Sequence, residues 1–247
     1  MTAPLLRYGW WQLRDHLRGA GLVIAAGAAL VAVVLWRMKV ANPAGFTDAA
    51  QLLPILMGQL GWPLVLVVTS GMVSTDRVDG YYRALFSAPV SPLAFYLQRY
   101  LLGAAVVATL PVALATAILV ATGDWAPPGA ATAVLLLLYL LLGGLVFFWS
   151  TVGRRDWAIA LSVFAVHGAL TSAMQAGASL PRWLELLHRA LPPFHLVNFG
   201  GFAGGVARPP LLPAGTGWLH FAGWGIGLVA AGLLVLRFRP LGSGGRG

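Results

Sequence analysis

Six runs of about twenty residues carry almost no charge, and this decides what the chain can fold into. A helix rises about 1.5 Å per residue, so about twenty apolar residues cross a hydrocarbon core about 30 Å thick. The runs lie at about 19–37, 52–74, 100–121, 130–151, 157–178 and 217–236. The first reads GAGLVIAAGAALVAVVLW over 19–36. Of the 247 residues only 9% are charged, against about 25% in an average soluble domain, so the chain cannot clothe a soluble surface. The predicted fold is all-α: one transmembrane domain over 1–247 with six transmembrane helices.

The net charge is +9, but the arginines sit in short clusters at the ends of the apolar runs, where membrane anchoring puts them. The expected polar neighbour is therefore the lipid bilayer, and no nucleic acid. The chain has no cysteine, which excludes disulfides, thiol catalysis and thiolate metal sites.

With the N-terminus inside, the inner segments hold Arg7, Arg14, Arg18, Arg77, Arg83, Arg99, Arg154, Arg155, Arg237, Arg239 and Arg246. The outer segments hold only Arg37, Lys39, Arg182, Arg189 and Arg208. The positive-inside rule then puts both termini in the cytoplasm and the protein in a cell membrane of the bacterial inner or plasma type. Residues 1–18 interleave Leu5, Tyr8, Trp10, Trp11 and Leu13 with Arg7, Arg14 and Arg18, the pattern of an interfacial helix on the cytoplasmic leaflet. They hold no cleavage signal, so the N-terminus is expected to stay on the mature protein. Residues 181–205, broken by Pro192, Pro193 and a Gly pair, are too interrupted to cross and predict a re-entrant or interfacial segment on the outer face.

The stretch STDRVDGYYRALFSAPVSPLAFYLQRY, 74–100, is the polar exception. Val78, Tyr82, Leu85, Phe86 and Pro89 share one helical face, which predicts a short amphipathic helix over about 76–88. Asp76 and Asp79 lie near its positive end, and Gly80 weakens it. Pro89 stops it, and Ser91 followed by Pro92 predicts an N-cap and first turn for the next helix. A loop that only enforced topology would not need an apolar face of Tyr, Leu and Phe. The expected role of 75–92 is a cytoplasmic docking knob between spans two and three.

These residues carry a resemblance. DRVDGYYRALFSAPVSPLAFYLQR resembles the segment after the second span of ABC-2 type transporter permeases, commonly E-R-E-x-G-T-x-E-x-L-x-x-[ST]-P-[VI]-S-x-x-x-[FY]-x-x-[GA]-[KR]. Asp76, Arg77, Asp79, Gly80, Leu85, Ala88, Pro89, Val90, Ser91, Phe95 and Arg99 take the corresponding places, with small shifts in spacing. The resemblance implies a coupling helix seated in a cytoplasmic ATPase subunit, with Asp76, Arg77, Asp79, Gly80, Tyr82, Leu85, Phe86, Pro89, Val90, Ser91 and Arg99 as the coupling residues. It also implies a second permease copy or related permease, because one six-span chain supplies half a path. The chain departs from the pattern in using Asp for both acids, and Tyr81, Tyr82 and Arg83 where Thr, a hydrophobic residue and Glu are frequent. No G-x-x-x-x-G-K-[ST] phosphate loop is present, so no cofactor is expected on this chain and ATP is expected to be hydrolysed by the partner.

In the fifth run His167, Thr171 and Gln175 recur at i, i+4 and i+8 on one face. Polar groups at membrane depth face the bundle interior, a partner or a cavity, so these three, with Gln59 in the second run, are candidates for the translocation path or the dimer seam; plain interhelical hydrogen bonding is the alternative. Gly143 and Gly144, and Gly223, Gly225 and Gly227, suggest close helix packing. His167, His188, His195 and His220 make no ligand motif, so no metal site is expected.

The function these residues point to is the permease subunit of an ABC-2 type exporter. Two other classes stay open: an intramembrane enzyme or haem or metal redox protein, and a non-transporting scaffold or immunity protein of the same shape. The enzyme class lacks catalytic residues in this reading, which puts all seven acids outside the spans and sees no serine at a nucleophile turn.

Overall fold

The computed structural model describes residues 2–43, 49–80, 91–177, 179–197, 201–203, 206–208 and 217–238. Among them, six helical stretches are long and apolar enough to cross a membrane: Tyr8–Ala41, Gln51–Val78, Pro92–Thr122, Gly129–Val152, Asp156–Gln175 and Gly217–Phe238. The chain is an all-α polytopic membrane protein, as the charge-free runs predict.

Helix α1 (Thr2–His16) passes through a π turn, Leu17–Gly21, straight into α2 (Leu22–Ala41). The amphipathic start is thus helical and continuous with the first span. Span two is α3 (Ala49–Thr69), which keeps Pro54 and Pro63 inside it, followed by the short α4 (Ser74–Val78). Span three is split into α5 (Pro92–Val107) and α6 (Thr109–Thr122). The break has a local cause: Pro111 has no N–H to give the Val107 carbonyl. The Thr109 hydroxyl donates to the Val106 carbonyl at 2.7 Å beside it. Span four is α7 (Gly129–Leu138), a π turn at Tyr139–Gly143 and α8 (Gly144–Val152). Span five is α9 (Asp156–Gln175) and span six is α11 (Gly217–Phe238). Between them lie α10 (Arg182–Ala190), a 3-10 turn at Phe194–Leu196 and a small antiparallel hairpin of β1 (Gly201–Ala203) and β2 (Val206–Arg208). No membrane-length helix occurs among the described residues of 181–205.

Spans two to four form the centre. The most apolar window of span four is 67% buried within the chain, against 17% for spans one and five. Met57, Val65, Leu114, Ile118, Leu135, Leu141 and Phe147 fill this core. Lipid is as apolar as leucine, so packing and interhelical hydrogen bonds, rather than escape from water, decide which helices touch. Tyr139 donates to the Tyr100 carbonyl at 2.7 Å and Tyr100 donates to the Tyr139 carbonyl at 3.1 Å. This reciprocal clasp joins spans three and four through the π turn. Gly103 makes room for it, since a Cβ there would meet the Tyr139 hydroxyl at 2.5 Å.

Glycines set a second contact, between spans four and six. A Cβ at Gly144 would meet the Gly225 carbonyl at 3.3 Å, one at Gly232 would meet the Phe147 ring at 2.9 Å, and one at Gly225 would overlap Leu140. Gly223 and Gly227 face open space, so the expected glycine packing falls on Gly143, whose Cβ would meet the Thr69 methyl at 3.1 Å, on Gly144 and Gly225, and on the unforeseen Gly232.

Alternation of the spans defines two ends. One carries Tyr8, α4, the start of α5, Thr151 and Asp156. The other carries Lys39, whose ammonium donates to the Thr122 carbonyl, and α10.

Substituting Gly225→Val is expected to cost about 1–3 kcal/mol through overpacking against Leu140. Gly223→Ala, facing open space, is expected not to destabilise and to add up to about 1 kcal/mol through helix propensity. Thermal unfolding of the detergent-purified chain reads both.

Candidate coupling site

Span two ends at Thr69, and the chain turns at Gly71, whose φ of 71° is the left-handed conformation that glycine takes at no steric cost. A Cβ there would also press on the Thr75 hydroxyl. The turn sets α4 at the end of the bundle, and α4 in turn stops at Val78 because Gly80 is left-handed again, with φ 72°. Of the predicted helix over 76–88, the described part is α4, which begins at Ser74 and ends at Val78 ahead of the left-handed Gly80; residues 81–88 lie outside the described residues. Tyr82, Leu85, Phe86, Pro89 and Val90 lie outside the described residues. The next helix starts at Pro92 with Ser91 in extended conformation, as the Ser-Pro pair predicts. The Ser91 hydroxyl makes no cap bond, however; its carbonyl accepts from Phe95 N–H at 3.0 Å instead.

Three of the charged coupling candidates turn inward. Asp76 is only 7% exposed, and its Oδ2 accepts from Arg99 Nη1 at 2.8 Å and from the Tyr96 hydroxyl at 3.2 Å. Arg99 Nη1 also donates to the Met72 carbonyl at 2.9 Å. One guanidinium thus ties α4 and the turn before it to span three. Arg77 Nη1 donates to the Thr151 carbonyl at 2.5 Å, which ties α4 to the last turn of span four. Thr75, Val78 and Asp79 are the exposed residues of 74–80.

A residue that the sequence reading passed over completes the arrangement. Asp156, 1% exposed at the first turn of span five, accepts from Gly71 N–H at 2.9 Å and from the Ser74 hydroxyl at 3.2 Å through Oδ2. Its Oδ1 accepts from Trp157 N–H at 2.9 Å. A carboxylate there also faces the positive end of a twenty-residue helix. The sequence signal was an acid directly heading an apolar run after Arg154 and Arg155. Counting acids as outside the spans hid it: Asp76 and Asp156 lie within membrane-length helices, at their ends, and are buried.

The network bonds α4 and the turn before it to three further spans: through Arg99 and Tyr96 to span three, through Arg77 to span four and through Asp156 to span five. Buried ion pairs are costly to break from one side, because the remaining charge stays desolvated.

The polar candidates of span five separate. His167 is 1% exposed and Thr171 is half-buried, whereas Gln175 and Gln59 are exposed on the single chain. Thr171 Oγ1 donates to the His167 carbonyl at 2.9 Å and lies 3.0 Å from His188 Nε2 and 3.4 Å from His167 Nδ1. His195 Nδ1 lies 3.2 Å from His167 Nε2. Three histidines that the sequence scattered over 29 positions therefore meet at the α10 end. Partial desolvation against the chain, with the neighbouring His188 and His220, lowers the pKa of the solvent-facing His195 below the ordinary imidazole value.

Asp76→Ala is expected to destabilise the protein by about 1–3 kcal/mol, since Arg99 loses its counter-charge in a partly exposed site. The pair Asp76→Ala with Arg99→Met is expected to lose less than the sum of the single changes. Denaturant or thermal unfolding of the four proteins in a double-mutant cycle measures the coupling.

No family model, curated protein or solved structure matches the chain.

Proposed function

We propose that this chain is the permease subunit of an ABC-2 type ATP-driven exporter, contributing half of a translocation path and moved by a separate cytoplasmic ATPase that docks on 75–92. The observation that carries this reading is the buried lock of Asp76, Arg77, Arg99 and Asp156. It sits at the base of the segment that resembles the coupling helix, and it joins that base to spans two, three, four and five. A surface loop that served only topology has no need of two buried carboxylates at its root.

In this reading the coupling residues divide into two groups. Asp76, Arg77 and Arg99 are positioning residues that hand motion to the spans, and Gly80 redirects the chain toward the docking segment. Val78 and Asp79, exposed beside it, offer contact to the ATPase, and Tyr82, Leu85, Phe86, Pro89, Val90 and Ser91 continue the dock by their place in the pattern. The arginine count supports cytoplasmic termini and a cell membrane location. The thinly buried spans one, five and six leave apolar area for lipid and for a second permease, with Gln59 and Gln175 as polar groups of the path or seam.

The test is co-expression with an ABC ATPase encoded next to this chain's reading frame, where one is found. Val78→Asp with Asp79→Lys is expected to abolish co-purification while membrane insertion persists. Asp76→Asn is expected to keep ATPase binding and to lower permease-stimulated ATP turnover several-fold. Full co-purification and transport with the first variant would sink the assignment. A scaffold of the same shape would bind the ATPase yet leave its turnover unstimulated.

A further inference from the structure

We propose that His167, His188 and His195 form a three-histidine site for a divalent transition ion of the Zn2+ class, which clasps the segment after span five onto that span. One ligand comes from the span itself, one from α10 and one from the 3-10 turn at Phe194–Leu196. Their candidate nitrogens all lie within 4.8 Å of one another. A tetrahedral ion with Zn–N bonds of about 2.0–2.1 Å holds its nitrogens about 3.3–3.4 Å apart. The His167 Nε2 to His195 Nδ1 separation of 3.2 Å is already at that spacing. The third ring closes by a small movement of α10, a surface helix with no buried residue.

Thr171 sets the tautomers. Its hydroxyl hydrogen goes to the His167 carbonyl at 2.9 Å, so its lone pairs accept from ring N–H groups, His188 Nε2–H at 3.0 Å and His167 Nδ1–H at 3.4 Å. That leaves His167 Nε2 and His188 Nδ1 with lone pairs. Fixing ligand orientation through the second ring nitrogen is what outer-shell partners of metal sites do. Without the ion, His195 Nδ1–H donates to the His167 Nε2 lone pair at 3.2 Å; on binding, its one proton moves to Nε2, so coordination by three neutral imidazoles releases no net proton. The rings stack, with His167 and His188 at 4.7 Å between centroids and His167 and His195 at 5.3 Å. His195 is exposed, which leaves the outer side open for water or an anion as fourth ligand. Three imidazoles suit Zn2+, Cu2+, Ni2+ or Co2+ and not the oxygen-seeking Ca2+ or Mg2+.

The site is independent of the exporter reading, because it lies at the opposite end of the bundle from α4. The test uses the full chain, purified in detergent with a tag lacking histidine, stripped with chelator and dialysed against Co2+ or Zn2+. The expected result is one ion per chain by elemental analysis, a visible Co2+ absorption band that Zn2+ abolishes, and a raised thermal midpoint with Zn2+. His188→Ala, on the surface helix, is expected to fold normally and to weaken binding at least tenfold, as is His195→Ala. His220→Ala is expected to bind like the parent. An absence of bound ion at micromolar Zn2+ overturns the site, as does undiminished binding in the double variant His188→Ala with His195→Ala.

Discussion

Two buried carboxylates hold together the end of the bundle on which the rest of the architecture depends. Asp76 reaches span three through Arg99 and Tyr96, and Asp156 reaches back from span five to the Gly71 turn and Ser74. Charges at such depth survive only when donors surround them, because burial removes water without removing the need for hydrogen bonds. Each acid has at least two donors from another span or from the turn that follows one. The geometry of the turn is therefore not free: Gly71 must be left-handed to aim its N–H at Asp156.

The middle of the bundle follows a different rule. There the helices gain nothing by leaving lipid for one another, and contact is decided by shape and by a few shared hydrogen bonds. The Tyr100 and Tyr139 clasp needs the missing side chain of Gly103, and the seam between spans four and six needs those of Gly144, Gly225 and Gly232. Two of the breaks in helical regularity, at Ala108 and at Tyr139–Gly143, lie in spans three and four, near the clasp or beside the core, and a third, the π turn Leu17–Gly21, lies in the helix of span one. Helical defects of this kind are tolerated where neighbouring side chains take up the freed backbone groups.

Much of the fold was legible because hydrocarbon imposes a one-dimensional rule: length and absence of charge reveal a span without any knowledge of its neighbours. The Ser91 and Pro92 start and the weakness at Gly80 were likewise local, resting on backbone preferences of single residues. The candidate site was legible in part. Its position at 74–100 stood out by charge, but the direction of each charge did not. Asp76, Arg77 and Arg99 read as surface groups when counted along the chain. Asp76 and Arg99 are separated by 23 residues, and only the packing of α4 on α5 makes them partners. Asp156 was missed for the same reason, its donors lying 82 and 85 positions away.

The amino-acid order by itself determined the membrane class, the number of crossings, the proline and glycine stops around α4, and the polarity of the segment between spans two and three. These depend on hydropathy and on φ/ψ preferences, which act over a few residues. The tertiary structure alone decided which acids are buried, which glycines are contacts rather than open face, and that three distant histidines share one corner. Those outcomes depend on how helices rotate about their axes and pair. A rotation of one residue, about 100°, exchanges an inward side chain for an outward one, and no local pattern in so uniformly apolar a chain records that angle.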